Sequence, residues 1–292
     1  MDDDVRRQAR SFGPVADAYD RGRPSFPAEA VRWLVGPQPA TVLELGAGTG
    51  KLTSVLVELG HDVHATDPDP DMLSRLRLRL PDVPTSEAGA EEIPLPDRSV
   101  DVVVAAQAFH WFDHEQALPE IARVLRPGGH LALTWNTRDE RIPWVRRLGV
   151  LLGSPGAAAE ATESHDPVVQ SDLFGFVEEQ QFPFWQPIDR ESIVDLAVSR
   201  SYVATLEETA RDQLVADVLA FYDDYGRGMD GMQLPYRCEC FRAQVIDGPD
   251  GPAGDGADDT GDAADADRGP DPGDGRRVSD GGDSDVLLID FR

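Results

Sequence analysis

The segment Val42-Leu43-Glu44-Leu45-Gly46-Ala47-Gly48-Thr49-Gly50-Lys51 decides the fold of this 292-residue chain. A short apolar run ends in three glycines at alternate positions, and Leu52, Val55, Leu56 and Leu59 then recur with the spacing of one helix face. Glycine permits positive φ and lets a ligand approach the backbone closely. The segment therefore predicts a strand, a tight glycine turn and a helix, the unit with which doubly wound sheets bind nucleotides.

The spacing of these glycines separates three kinds of nucleotide site. A phosphate-binding P-loop would need a glycine where Leu45 stands and a hydroxyl residue where Leu52 stands. A dinucleotide loop would need its third glycine at Lys51. The remaining pattern, G-x-G-x-G preceded by the acid Glu44, is typical of sites for S-adenosylmethionine (SAM).

The chain around this segment alternates between strand and helix patterns. Further strands are predicted at Val63–Thr66, Val83–Ala88, Val100–Ala106 and His130–Trp135, and helices at Ala28–Val35, Met72–Leu80 and around Leu118–Leu125, the last stopped by Arg126-Pro127-Gly128-Gly129. In the second half, strands are predicted at Val177–Ile188 and Leu234–Val245, and helices at Ile142–Leu152, Glu191–Val198 and Glu207–Tyr222. This order predicts an α/β fold with a doubly wound, mostly parallel sheet.

Four motifs in this order resemble the class I SAM-dependent methyltransferases, specifically the small-molecule group called type 11. They are LELGAGTGK, HATDPDPDML, AEEIPLPDRSVDVVV and RVLRPGGHLALTWN. The stretches FGPVADAYDRGRPSFP, AQAFHWFD and SRSYVATL are similar to a subgroup that includes trans-aconitate-methyltransferase-like enzymes. The resemblance spans about residues 12–246. It implies a seven-stranded, Rossmann-like sheet with an antiparallel C-terminal hairpin, and SAM as the cofactor.

The resemblance also implies which residues bind SAM. They are Glu44, Gly46, Gly48, Gly50, Asp67, Pro68, Ala90, Glu91, Gln107, Tyr19 and Arg23. Asp67 follows the second strand, where a carboxylate can accept both ribose hydroxyls. Relatives often carry an acid for the adenine amino group where this chain has Gly89, so we expect the backbone at Ala90 and Glu91 to hold adenine. Arg23 would pair with the SAM carboxylate.

The acceptor side is predicted from position. His110 and Trp111 follow the fourth strand, at the sheet edge where ligands of doubly wound folds bind, so His110 is the candidate base and Trp111 a candidate substrate contact. Arg200 and Tyr202 are further substrate candidates, and residues 12–40 would form lid helices over the site. His110 and His114 stand four apart without a third ligand or an HExxH motif, so no metal site is expected.

Composition limits partners and location. The chain carries 54 acidic and 27 basic residues, and its net charge is −27. Such a field disfavours nucleic acid and anionic membranes, so a small-molecule substrate is expected. The start lacks an apolar signal region and no apolar run is long enough to span a membrane. Only two cysteines are present. These features favour a reduced, cytoplasmic protein.

The acidic residues divide the chain into a body and a tail. Residues 1–246 are expected to form the methyltransferase domain, with 40 acidic and 23 basic residues. Residues 247–285, with 13 Asp and 3 Arg, are expected to be a disordered acidic tail, and residues 286–292 a short apolar terminus. Two alternatives stay open at this point: a nucleotide-dependent oxidoreductase on a related sheet, and a SAM-binding protein without catalytic activity.

The acidity of the body predicts adaptation to salt. The chain has 26 Arg and the single Lys51, and a GC-rich coding sequence would explain that preference but not the net charge. We expect the melting temperature to rise steeply up to molar KCl, because the Debye length falls to about 3 Å at 1 M and screens the repulsion. A melting temperature that stays flat between about 0.1 and 2 M KCl would favour the coding-bias explanation.

Overall fold

Helices and strands alternate along the chain in the computed structural model, which describes residues 22–153, 165–199, 203, 206–225 and 231–246. The strands are β1 (Thr41–Leu45), β2 (Asp62–Asp67), β3 (Thr85–Glu87), β4 (Val100–Ala106), β5 (Leu125–Arg138), β6 (Phe174–Ile188) and β7 (Met232–Val245). The helices are α1 (Ala28–Val35), α2 (Lys51–Glu58), α3 (Pro70–Arg79), α4 (His114–Val124), α5 (Pro143–Leu151), α6 (Asp166–Val169), α7 (Arg190–Val198) and α8 (Glu208–Tyr225). One turn of 3-10 helix, Phe109–Trp111, separates β4 from α4.

The described strands form one seven-stranded sheet in the order β3-β2-β1-β4-β5-β7-β6. The first five strands of this order are parallel, and β7 runs antiparallel between β5 and β6. The predicted fold class is therefore confirmed, including the antiparallel C-terminal pair. Because β1, β2, β4 and β5 are parallel, their carboxyl ends meet at one edge of the sheet.

Both faces of the sheet are covered, which explains the nearly continuous apolar sequence of its central strands. Leu43 and Val103 belong to a core that includes residues of α4. Val42 and Val102 point to the opposite face and pack with residues of α1 and α2. Successive side chains of a strand alternate between faces, so neighbouring apolar residues enter two different cores.

The boundary between α4 and β5 differs from the sequence prediction. The helix ends at Val124, and Arg126-Pro127-Gly128-Gly129 lies within β5 instead of forming a separate stop before it. The pairing with β4 is shifted between Val100 and Val102, because Val100 pairs with Leu125 and Val102 with His130. The extra residues form a bulge, where glycine and proline are tolerated in a strand.

The helix Ala28–Val35 and the strand Val100–Ala106 have the predicted ends, whereas several other elements differ in length. The third strand is shorter than expected, Thr85–Glu87 instead of Val83–Ala88. The two C-terminal strands are longer, Phe174–Ile188 and Met232–Val245, and they pair with each other over most of their length. The two strands are consecutive and antiparallel, as expected, but helices α7 and α8 lie between them in the sequence in place of a short hairpin turn.

Three expected segments fall wholly or partly outside the described residues. The predicted lid, residues 12–40, is described only from residue 22, and the predicted tail and terminus, residues 247–292, are not described. The described residues belong to the first of two units into which the chain divides, Met1–Gly251. Among the helices in these residues, none combines the length and apolar character that crossing a membrane requires.

Candidate functional site

The glycine loop between β1 and α2 has the backbone geometry that its sequence predicts. Gly46, Gly48 and Gly50 have φ angles of +68°, +57° and +83°, which L side chains rarely adopt. Gly46 meets a second requirement, because a Cβ at this position would lie 2.5 Å from the Cβ of Ala108. The loop after β1 therefore packs directly against the chain that follows β4.

The carboxylate of Asp67, at the end of β2, forms a hydrogen bond to this glycine loop. Its Oδ2 accepts a hydrogen bond from the backbone N–H of Gly48 at 2.8 Å, and its Oδ1 accepts one from Asp69 at 2.9 Å. Burial raises the pKa of Asp67 to about 6, although both hydrogen bonds oppose the rise. A carboxylate offers about four lone-pair sites, so each oxygen can still accept a ribose hydroxyl.

Glu44 lies beneath the loop and is almost completely buried. The hydroxyl of Thr53, in α2, donates to Oε2 of Glu44 at 2.6 Å. Burial raises the pKa of Glu44 to about 8, and the nearby charge of Asp67 acts in the same direction. The neutral acid therefore predominates at pH 7, and the side chain ties β1 to α2. The sequence had indicated cofactor binding for Glu44, but it gave no signal for the hydrogen bond between Glu44 and Thr53.

The residues expected around adenine lie on the loop after β3 and at the end of β2. Ala90 is buried in the core beside α4, and Pro68 is half-buried directly after Asp67. The carboxylate of Glu91 accepts the backbone N–H of Asp113 at 2.8 Å. The predicted adenine loop is thus joined to the residue that precedes α4.

Gln107 connects the carboxyl ends of β4 and β5. Its backbone N–H donates to the carbonyl of Thr134 at 2.9 Å, and its Nε2 donates to the carbonyl of Asn136 at 3.1 Å. Its φ is +59°, an unusual value for a residue with a side chain. Such backbone strain often accompanies functional sites. The sequence did not predict the conformation, because nothing in AQAFHWFD marks it.

His110 and Trp111 lie on the short 3-10 helix that follows β4. Their ring centroids are 4.7 Å apart, and His110 is exposed whereas Trp111 is half-buried. Partial desolvation of the imidazole, and next the nearby charge of His114, lower the pKa of His110 below the ordinary value for histidine. The imidazole is therefore neutral at pH 7 and has a free lone pair, but it is a weaker base than ordinary histidine.

His114 has a supporting contact that the sequence did not indicate. Its Nε2 lies 3.0 Å from the carbonyl oxygen of Phe109. A carbonyl only accepts, so this contact assigns the proton to Nε2. The two histidines are near each other, but among the described residues no group of three or more His, Cys, Asp or Glu could hold a metal ion.

The segment before α1 crosses the edge of the sheet at which the parallel strands end. Asn136 of β5 donates to the carbonyl of Ser25 at 3.2 Å, and Gln186 of β6 donates to the carbonyl of Gly22 at 3.1 Å. Arg23 lies between these two anchors and is half-buried. Tyr19, Arg200 and Tyr202 lie outside the described residues, so their predicted roles stay predictions.

The comparisons with known proteins agree with this geometry. The methyltransferase domain family called Methyltransf_11 matches residues 43–133. An uncharacterized methyltransferase of Mycobacterium tuberculosis is 46% identical over 82% of this chain and 98% of its own. An uncharacterized methyltransferase-like protein of Schizosaccharomyces pombe is 36% identical over 79% of this chain and 93% of its own.

Among solved structures, a candidate type II methyltransferase from Anaeromyxobacter dehalogenans is 26% identical, with a TM-score of 0.57. The match covers 76% of this chain and 97% of that one. The sheet order and the glycine loop define a class I methyltransferase. Together with the similarity to these relatives, they show that the chain belongs to the SAM-dependent methyltransferase family. None of the relatives named here carries trans-aconitate in its name, so that subgroup stays a prediction.

The position of the Asp67 carboxylate leads to a prediction about cofactor binding. Asp67→Ala should weaken binding of S-adenosylhomocysteine, the demethylated product, by about 1.5–3 kcal/mol, the range for hydrogen bonds to charged groups. Wild-type affinity should also fall below about pH 6, where the carboxyl becomes protonated. Titration calorimetry measures both effects. Asp62→Ala, at the exposed opposite end of β2, is the matched control, and unchanged affinity in Asp67→Ala would remove Asp67 from the ribose site.

Burial of Glu44 generates a stability prediction. Burial raises its folded-state pKa to about 8, well above the ordinary value for a glutamate, so its stabilising contribution decreases as pH rises from the ordinary pKa to the folded-state pKa. Glu44→Gln keeps an acceptor for Thr53 and removes the charge. Its melting temperature should exceed the wild-type value by about 3 °C or more at pH 8, with a smaller difference at pH 5. Glu58→Gln, at the exposed last residue of α2, is the control. A melting-temperature difference between Glu44→Gln and wild type that is equal at both pH values would contradict the raised pKa of Glu44.

Proposed function

We propose that this chain methylates a small-molecule acceptor, with SAM bound at the carboxyl ends of β1 and β2 and the acceptor above β4 and β5. The observation that carries the proposal is the contact of Gly46 with Ala108, where a Cβ would lie only 2.5 Å from the alanine Cβ. It places the cofactor loop against the residue that precedes the short helix of His110 and Trp111.

The residues present fit an adenosine cofactor. The glycine loop leaves its backbone open to a ligand, since a Cβ at Gly48 would meet no atom within 4 Å. Asp67 would accept the ribose hydroxyls, and the backbone of Ala90 and Glu91 would hold adenine beside Pro68. Arg23 and Tyr19 would close the methionine end of the site. When bound, the cofactor supplies an electrophilic methyl group on a sulfonium.

The protein's own contribution is alignment and exclusion of water. The residues after β4 and β5 would hold the attacking oxygen, nitrogen or carbon of the acceptor in line with the methyl group that the cofactor would supply. Where the attacking atom carries a proton, the neutral imidazole of His110 would accept it. Trp111 would form an apolar wall, and Arg200 and Tyr202 would contact the remainder of the acceptor.

The charge of the chain supports a small molecule as the acceptor. A net charge of −27 repels nucleic acid and anionic membrane surfaces. We also propose a cytoplasmic location, lid helices within residues 12–40 and a tail after residue 246 that takes no part in cofactor binding. These assignments rest on composition and on resemblance to the family.

The role of His110 is tested by turnover. With the best acceptor from a panel of small carboxylic acids, phenols and quinol-like compounds, His110→Ala should reduce the release of S-adenosylhomocysteine about 100-fold or more if His110 acts as base. Affinity for S-adenosylhomocysteine should stay within about twofold, since the assigned contact is with the acceptor.

His110→Gln separates base catalysis from simple contact. Glutamine can form a hydrogen bond but cannot accept a proton at neutral pH, so it should be as slow as alanine if His110 is the base. Added imidazole should restore part of the activity of His110→Ala. Turnover equal to wild type in both variants would exclude His110 from the reaction, and a large loss of cofactor affinity would assign it to the cofactor site.

A further inference from the structure

The side chain of Glu91 forms a hydrogen bond between the predicted adenine loop (residues 89–91) and the predicted acceptor segment (residues 109–113). Glu91 stands on the loop after β3, and its Oε1 accepts the backbone N–H of Asp113 at 2.8 Å, across 22 positions of sequence. Asp113 directly precedes α4 and follows the short helix that carries His110 and Trp111. A carboxylate is a strong partner for a backbone N–H, since the bond is charge-assisted.

The other end of the acceptor segment is held by the core. Phe109 is fully buried, and its ring lies 5.7 Å from that of Phe112 in an edge arrangement. The carbonyl of Phe109 is also the partner of His114 Nε2 at 3.0 Å. The segment is therefore fixed at Phe109 by packing, whereas its other end at Asp113 is held by a bond from a different loop.

We propose that Glu91 is a positioning residue that couples occupancy of the cofactor site to the orientation of His110 and Trp111. This inference rests on the proposed function, because it requires adenosine to contact the backbone of Ala90 and Glu91. A ligand that orders this backbone also fixes the Glu91 carboxylate, and through it the amide of Asp113. Since coupling between sites is reciprocal, the placement of the acceptor segment in turn favours the bound state of the cofactor loop.

Gly89 offers an independent way to disturb this connection. A Cβ at Gly89 would lie 2.6 Å from Oε2 of Glu91. Gly89→Ala would therefore displace the carboxylate without changing Glu91 or Asp113. The backbone of Gly89 is not in the positive-φ region, so alanine can adopt it. Gly175→Ala is the matched control, because its Cβ would meet only a carbonyl at an ordinary 3.7 Å.

The experiment follows two nuclear magnetic resonance signals in the full-length chain during titration with S-adenosylhomocysteine. They are the indole N–H of Trp111, assigned with Trp111→Phe, and the exchange rate of the Asp113 amide. In wild type, Glu91→Gln and Gly175→Ala, the indole signal should shift on binding and the amide should stay protected. Glutamine keeps an acceptor oxygen for Asp113, so it should rescue the connection.

Glu91→Ala and Gly89→Ala should lose the hydrogen bond between the Glu91 carboxylate and the Asp113 amide while the cofactor still binds. We expect exchange of the Asp113 amide to be about tenfold faster, the effect of losing one hydrogen bond of about 1.4 kcal/mol. The indole shift at saturating S-adenosylhomocysteine should fall to less than half, and the affinity should fall by no more than about threefold, which is the reciprocal effect of the lost coupling. The double variant should show no further loss, because both changes break the same contact.

Three results would overturn the inference. The first is an unchanged indole response in Glu91→Ala. The second is a Glu91→Gln variant that behaves like Glu91→Ala, which would show that an acceptor oxygen is not what matters. The third is a loss of cofactor affinity of about tenfold or more, which would make the Glu91 side chain part of the cofactor site. Failure of the proposed function would show differently, as absence of binding in the wild type.

Discussion

The site depends on the hydrogen bond between the carboxylate of Asp67 and the backbone of Gly48. This bond joins the loop after β1 to the loop after β2, which parallel pairing has already placed side by side. Burial makes the carboxylate costly to ionise, and two backbone amides offset part of that cost. The Asp67 carboxylate therefore stabilises the glycine loop and is also the expected partner of the ribose.

A second constraint is the close approach of the loop after β1 to the chain after β4. Gly46 leaves no space for a side chain against Ala108, so the two loops lie in direct contact. This contact sets the position of the glycine loop relative to the short helix of His110 and Trp111. In a reaction that depends on alignment, such fixed placement is the main contribution a protein can make.

The part of the candidate site that follows β4 and β5 is built from elements distant in sequence. Gln107, Asn136 and the carbonyl of Ser25 form a chain of hydrogen bonds from β4 through β5 to the segment before α1. Glu91 adds the link from the predicted adenine loop to Asp113. The glycine loop and Asp67 thus follow from local motifs, whereas the part of the candidate site after β4 and β5 is assembled by long-range contacts.

This difference explains what the sequence determined by itself. The glycine spacing and the alternation of strand and helix patterns were sufficient for the fold class and its mostly parallel sheet, because both depend on local backbone preferences. The family was indicated by four motifs in order, which are also local in sequence. Only the tertiary structure decided that Thr53 bonds the buried Glu44, that Glu91 reaches Asp113 and that Arg126-Pro127-Gly128-Gly129 lies inside β5. Those features arise from partners many positions away, and a one-dimensional pattern carries no information on which partner a side chain meets.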